Sequence, residues 1–138
     1  MPRLRLFVAL LALASTASHA APPAYLTLDN SNAQLMDAAT ASAMWKQNLP
    51  AKLFKLYPDK RWGFVSEVEG GFDDARVCVV TARAMMLPRS GKTLVFRPAK
   101  TATAFGSQAN ASADQCRSLA KAKLGEAIVA VASSLAGR

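Results

Sequence analysis

Apolar positions recur at helical spacing between residues 31 and 49. Leu35, Ala39, Ser42, Trp45 and Leu49 are three or four residues apart, and all of them except Ser42 are apolar. Ser31 and Gln34 have the spacing of a capping box at the start of this run, and Pro50 ends it. The pattern predicts a helix over 31–49. An arm or short edge strand precedes it, and one amphipathic turn follows over 51–57.

From Arg61 onward the alternation has a period of two. It predicts strands over 61–69, 75–87 and 93–98, joined by turns at "GGFDD" and "PRSGK". Residues 100–105 predict a fourth strand, with Thr101, Thr103 and Phe105 on one side. Consecutive hairpins make this sheet an antiparallel meander of three to four strands.

One face of the predicted sheet is almost entirely apolar. Even-numbered positions of the first three strands form it, because directly paired residues share a face. Its members are Trp62, Phe64, Val68, Cys78, Val80, Ala82, Ala84, Met86, Leu94 and Phe96. We expect this face to be the core, and we expect Trp62, Phe64, Val80 and Phe96 to be buried together under a helix.

The last segment predicts a long helix from residue 112. Ser112 and Gln115 form a second capping box. An apolar stripe follows at Cys116, Ala120, Leu124, Ala127 and Val131. The fold class is therefore α+β: an N-terminal helix, the meander, and a long C-terminal helix packed on one sheet face. The stretch "AIVAVA" at 127–132 is apolar nearly all round. We expect the apolar flank of this helix to pack either against the first helix or against a second copy of the chain. The second arrangement would make a homodimer.

The first twenty residues have the pattern of a secretory signal peptide. Arg3 and Arg5 precede an apolar run over 6–14, and Ser18 and Ala20 are the small residues of a cleavage site. The apolar run is shorter than the roughly 20 residues that a membrane-spanning helix needs. We predict cleavage before Ala21, one small α+β domain over 21–138 with no transmembrane segment, and a periplasmic or secreted location.

The two cysteines are predicted to form a disulfide. Cys78 and Cys116 both survive cleavage, and an even pair in an oxidising compartment is usually bonded. The only histidine, His19, lies in the signal peptide, so the mature chain lacks the Cys–His and Ser–His–Asp arrangements of nucleophilic enzymes. Two sulfurs alone do not complete a zinc site. We predict no metal, no cofactor and no enzymatic activity.

The chain is basic, with 17 Lys and Arg against nine Asp and Glu and a net charge of +8. Loss of Arg3 and Arg5 with the signal peptide leaves an excess of positive charge, which favours anionic partners or serves solubility alone. Basic residues between 52 and 61 alternate with Phe54, Tyr57 and Trp62, a pattern that suits stacking on single-stranded nucleic acid. Phe54 and Trp62 are better explained as core residues, and nucleic acid is not predicted as a partner.

Odd-numbered positions form the opposite face of the sheet. With the second turn centred near Ser90, Arg83 and Arg97 are expected to lie opposite each other, with Arg61 beside them. Guanidinium groups bind carboxylates and phosphates through paired hydrogen bonds. Two interpretations follow, a solvent face with intramolecular partners or a binding face for an acidic group. The candidate binding face consists of Arg61, Arg83, Arg97, Val79 and Val95.

Other motifs are better explained structurally. "RSGKT" at 89–93 resembles the end of a phosphate-binding loop but is followed by a strand pattern. Glu67, Glu69 and Asp73 predict a solvated acidic hairpin, although paired carboxylates also suit a small hydrolase. The prediction for function is an exported non-enzymatic binding protein of the cell envelope, of inhibitor, immunity or adaptor type. The alternative is an envelope carbohydrate- or lipid-binding module that uses basic and aromatic residues.

Overall fold

The computed structural model describes residues 24–137, and the predicted signal peptide lies outside them. The elements follow in the order β1 (Leu26–Asp29), α1 (Ala38–Asn48), α2 (Leu53–Leu56), β2 (Trp62–Phe72), β3 (Val77–Ser90), β4 (Thr93–Leu94), β5 (Lys100–Ala109) and α3 (Ala113–Ala136). The predicted α+β class and the long C-terminal helix on one sheet face are confirmed.

The sheet is mixed rather than wholly antiparallel. Strands β2, β3 and β5 form antiparallel pairs, but β1 is a short edge strand that runs parallel to β2, with Leu26 opposite Gly63. A parallel pair needs a long crossover. The connection from β1 to β2 supplies it through α1 and α2.

The main antiparallel partner of β3, besides β2, is β5, which confirms the predicted fourth strand over 100–105. The predicted strand over 93–98 forms only at Thr93 and Leu94. Only Thr93 and Leu94 pair with the end of β3, whereas β5 pairs along ten residues from Val77 to Met86. Pro88 and Pro98 explain the break, because proline has no backbone N–H with which to continue a ladder. The uninterrupted run "KTATAFGSQA" provides the longer partner.

The first helix begins later than its predicted capping box. Asp37 caps α1, and its carboxylate accepts hydrogen bonds from the Thr40 N–H at 2.8 Å and from the Thr40 hydroxyl at 2.7 Å. These bonds lower the pKa of Asp37. The Ser31 hydroxyl instead accepts from the Val68 N–H at 2.9 Å and donates to Asp29. Ser31 therefore satisfies an N–H of β2 beyond the end of β1.

The second capping box is confirmed at the start of α3. The Ser112 hydroxyl accepts from the Gln115 N–H at 3.1 Å, and the Gln115 side chain accepts from the Ser112 N–H at 2.8 Å. Two of the amide groups that a helix start leaves unpaired are thereby satisfied.

The even-numbered sheet face forms the core with the helices, as predicted. Buried side chains of β2 and β3 pack against buried residues of α1 and α3, and these strand residues are Phe64, Val68, Cys78, Val80, Ala82, Ala84 and Met86. Trp45 of α1 lies against Phe64 with ring centroids 4.6 Å apart. Trp62 is only half-buried, against Tyr57. Phe96 is 67% exposed, so its predicted burial is wrong. Leu94, also predicted on this face, packs instead against Val65, Met85 and Leu87 on the opposite side of the sheet.

The disulfide between Cys78 and Cys116 is present and joins β3 to α3, with the two Cα atoms 5.6 Å apart. The flank of α3 is covered by α1, where Met44 reaches Gly125. Val129 on the same helix stays 49% exposed, and the homodimer remains a prediction. Within residues 24–137, no helix is long and apolar enough to cross a membrane.

Candidate functional site

In the part of the chain that the structure describes, both helices of appreciable length pack on the even-numbered side of the sheet. The odd-numbered side is called the open face here. Its exposed large apolar side chains are Phe105 on β5, at 70%, Val79 on β3, at 45%, and Leu28 on the edge strand β1, also at 45% and opposite Val65. Residues that share this face and surround Val79 and Phe105 are Glu67, Glu69, Thr81, Arg83, Thr101, Thr103 and Ser107.

One end of the open face is closed by a small second cluster. Val65, Met85 and Leu87 are buried there and pack against Leu94. Leu94 approaches Gly63 so closely that an added Cβ would lie 2.5 Å from the Leu94 Cδ2 atom. The short strand β4 thus covers the apolar start of this face, and the region around Val79 and Phe105 stays exposed.

Val79 and Phe105 belong to one patch. Thr81 lies opposite Phe105 and Val79 lies opposite Ser107, so Val79 and Phe105 are diagonal neighbours across the strand pair. Diagonal neighbours are roughly 7–8 Å apart, within reach of an aromatic side chain. The two apolar groups therefore form a continuous centre with threonine and serine hydroxyls around it.

Arg83 has an intramolecular partner. The Arg83 Nη1 donates to the Glu67 Oε2 at 3.2 Å, and the two side chains are 45% and 29% exposed. Glu67 is directly opposite Arg83 on β2, and Thr103 is opposite it on β5. The expected Arg83–Arg97 opposition is therefore wrong. Together with Glu69 and Thr81, the ion pair lines a shallow depression of about 220 Å³.

The structure divides the five residues of the candidate binding face into two groups. Val79 and Arg83 lie on the open face. Arg61, Val95 and Arg97 are exposed at the end of the sheet where β2 begins and β3 ends. The Arg61 carbonyl there accepts from the Arg89 N–H at 2.8 Å, and the Pro88 carbonyl accepts from the Val95 N–H at 2.8 Å.

The candidate binding face predicted from the sequence does not include Phe105. The alternation of "KTATAF" places it on one side with Thr101 and Thr103, and this pattern was the available signal. It becomes part of the face only because β5, rather than residues 93–98, pairs with the centre of β3.

The acidic residues of the hairpin have separate surroundings. Glu67 is bound to Arg83, whereas the Asp73 carboxylate accepts from the Val77 N–H at 2.8 Å and shapes the turn between β2 and β3. Among residues 24–137, no group of three or more His, Cys, Asp or Glu side chains is placed to hold a metal ion.

A half-buried tyrosine supports the edge of the sheet away from the open face. Tyr25 stacks on Phe54 with ring centroids 4.4 Å apart, and its hydroxyl donates to the Tyr57 carbonyl at 2.6 Å. Burial, with a contribution from nearby Asp59, raises the pKa of Tyr25 to about 12. Tyr25 therefore stays neutral and serves as an anchor for α2.

No protein-family model matches the chain, and no curated protein is similar to it. Among solved structures, a point variant of the PelC dodecamer from Paraburkholderia phytofirmans is 14% identical, with a TM-score of 0.46 over 81% of this chain and 94% of that one. A second PelC dodecamer from the same organism is also 14% identical, with a TM-score of 0.38 over 82% and 87% of the two chains. At these TM-scores the likeness carries no argument about this chain.

Proposed function

We propose that this chain is an exported, non-enzymatic binding protein of the cell envelope that contacts another protein through the open face. The observation that carries the proposal is the exposed pair Val79 and Phe105 at the centre of a helix-free sheet face. An apolar centre within a polar rim is the usual arrangement of a protein-binding surface, and exposed apolar patches mark interaction sites. Inhibitors, immunity proteins and adaptors all need such a surface for contact with another protein.

The Arg83–Glu67 pair supports recognition of a protein rather than of one small acidic group. The pair is half-exposed, so its guanidinium retains donors for a partner while Glu67 offsets its charge. Arginine is enriched among the residues that dominate binding energy at interfaces. The partner we propose therefore presents an apolar side chain to Val79 and Phe105 and a carbonyl or carboxylate to Arg83.

Two features of the chain support a location in the periplasm or outside the cell. The signal-peptide pattern of residues 1–20 and the disulfide between Cys78 and Cys116 are both typical of an oxidising compartment. The absence of histidine after His19 removes the commonest general base of enzymes that act near neutral pH. A binding function needs neither a base nor a nucleophile.

The test compares matched substitutions on and off the open face. The partner is first captured from the native cell envelope with the unaltered chain, identified and purified, and its Kd is then measured with each variant. Phe105→Ser and Val79→Ser should each raise the Kd about tenfold or more, the scale of a central interface residue. Phe96→Ser and Val129→Ser remove side chains of similar exposure elsewhere and should leave the Kd unchanged.

Two results contradict the proposal. A partner that binds the Phe105→Ser and Val79→Ser variants with unaltered Kd does not contact the open face. Equal losses for the open-face pair and the control pair would mean that general surface apolarity, rather than this face, determines binding.

A further inference from the structure

The end of the sheet opposite the β2–β3 hairpin carries exposed cations around two exposed apolar residues. We call this the basic tip, and its members are Lys60, Arg61, Lys92, Val95, Phe96 and Arg97. Phe96 is 67% exposed and Val95 is 48% exposed. Residues 60–61 and 92–97 meet because Trp62 pairs with Pro88 and because the end of β3 pairs with β4.

Backbone hydrogen bonds hold Phe96 away from the core. The Val95 N–H donates to the Pro88 carbonyl and the Ala99 N–H donates to the Met86 carbonyl, each at 2.8 Å. The Arg97 N–H donates to the Val95 carbonyl at 2.6 Å, which tightens the short loop between these two attachments. These bonds attach the loop on both sides of Phe96, and in this conformation the side chain is exposed.

The positive charge of the basic tip is not neutralised locally. Asp59 is the only acidic residue in 58–62 and 88–100. Within residues 24–137, no ion pair involves any of the four cations of the tip. Arg89 braces the loops, because its guanidinium donates to the carbonyls of Asp59 at 2.9 Å and Gly91 at 2.6 Å. It adds a further positive charge beside the tip.

The opposite end of the same strands is acidic. Three acidic residues, Glu69, Asp73 and Asp74, outnumber the one cation of the β2–β3 hairpin, Arg76, and lie eight or more residues along the chain from Arg61. A strand rises roughly 3.3 Å per residue, so the two ends are separated by more than the Debye length of about 8 Å at physiological salt. The acidic end therefore does not screen the basic tip, and a negatively charged plane would attract one end and repel the other.

We propose that the basic tip binds the surface of an anionic phospholipid membrane. The cations lie against phosphate and other anionic headgroups, and Phe96 enters the boundary between headgroups and acyl chains. Lys and Arg near an anionic leaflet gain attraction from its surface potential, and an aromatic side chain adds burial of apolar surface. An exported chain meets such surfaces, and the open face stays free for a protein partner.

The membrane is favoured over a protein at this tip because of its cations. Val95 and Phe96 are adjacent in one short loop, and the cations around them include Lys60 and Lys92. Lysine is depleted at protein interfaces, whereas shallow insertion into a bilayer needs only one or two apolar side chains surrounded by positive charge.

The experiment measures co-flotation of the full chain with vesicles of phosphatidylcholine, with and without phosphatidylglycerol. The unaltered chain should bind the anionic vesicles in preference to the neutral ones, and added salt should weaken this preference. Lys92→Gln with Arg97→Gln should lower binding to the anionic vesicles about tenfold or more, and Phe96→Ser should lower it about tenfold. Residues 1–20 are common to all variants, so differences between variants belong to the tip.

Matched controls separate the tip from bulk charge and from the open face. Lys46→Gln with Lys121→Gln removes the same charge from exposed positions on α1 and α3 and should leave vesicle binding unchanged. Phe105→Ser should also leave it unchanged, while it weakens the protein contact proposed above. Failure of one proposal is therefore distinguishable from failure of the other.

A second readout does not depend on loss of binding. Phe96→Trp should give a blue-shifted component of tryptophan fluorescence with anionic vesicles, and Phe105→Trp should not. The proposal is overturned if the tip variants bind as the unaltered chain does, if the charge-matched control loses as much binding, or if the chain binds a single-stranded oligonucleotide or an acidic protein but no anionic vesicle.

Discussion

Phe64 and Phe96 show how backbone hydrogen bonding decides the surroundings of an aromatic side chain. Phe64 lies within β2, pairs with Met86 and is fully buried against Trp45. Phe96 has the same parity in the sequence, but it follows β4 in a loop attached to β3 at Val95 and Ala99. Parity predicts a face only where the residue belongs to a continuous strand.

The two phenylalanines should differ sharply in their contribution to stability. Phe64→Ala should lower the free energy of unfolding by about 3–5 kcal/mol, because it removes buried apolar surface and leaves a cavity. Phe96→Ala should change it by no more than about 0.5 kcal/mol, as is usual at an exposed position. Urea unfolding of both variants measures the difference. A large loss for Phe96→Ala would show that this side chain is buried in solution.

At the scale of elements, the β2–β3 hairpin depends on glycine at one position more than at its neighbour. The chain continues as strand through Gly70 and Gly71, and the turn itself lies at 73–76. Gly70 has a φ of +125°, and a Cβ added there would lie 2.0 Å from the Val79 carbonyl oxygen. Gly71 has a φ of +145° and open space around it.

Alanine substitutions at these glycines form a matched pair. Gly71→Ala should cost about 1–3 kcal/mol of unfolding free energy, through backbone strain alone. Gly70→Ala should cost more, because it adds a clash with a backbone atom that cannot rotate away. Thermal unfolding gives the ranking. Equal costs would mean that the hairpin relaxes freely at Gly70 and that the close approach to Val79 is unimportant.

At the scale of the whole molecule, one covalent bond joins the sheet to the helical layer. Cys78 lies at the hairpin end of the core face, opposite Phe72, and Cys116 lies in the first turn of α3, both fully or almost fully buried. The bond closes a loop of 38 positions that contains nearly all of β3, together with β4, β5 and the start of α3. Its main effect is to restrict the unfolded chain.

Removal of the disulfide should weaken the fold without changing its surface. Cys78→Ala and Cys116→Ala should each lower the free energy of unfolding by roughly 2–5 kcal/mol. The double variant should cost about as much as either single one, because one bond is lost in all three. The chain produced in an oxidising compartment should have a mass lower than the dithiol form by two hydrogen atoms. Two thiols that react freely in the native protein would contradict this prediction.

Local patterns in the sequence determined much of this protein. The spacing of apolar residues distinguished helices from strands. The capping box at Ser112 and Gln115 predicted the start of α3, and the presence of only two cysteines predicted the disulfide between them. The helices, strands and cap could be predicted because they depend on residues only a few positions apart. The disulfide could be predicted because two cysteines allow only one pairing.

Only the tertiary structure decided which strand pairs with the centre of β3. Residues 93–98 and 100–105 both alternate, and the prolines at 88 and 98 favour the second segment only when the whole ladder is considered. Because β5 pairs with the centre of β3, Arg97 lies away from Arg83, Phe96 is exposed and Phe105 lies on the open face. The cap of α1 also depends on a long-range contact. The Ser31 hydroxyl accepts a hydrogen bond from the Val68 N–H of a distant strand, and Asp37 is the residue that caps the helix. Long-range hydrogen bonds of this kind leave no periodic trace in the sequence, so the division of the predicted binding face into the open face and the basic tip emerged only from the fold.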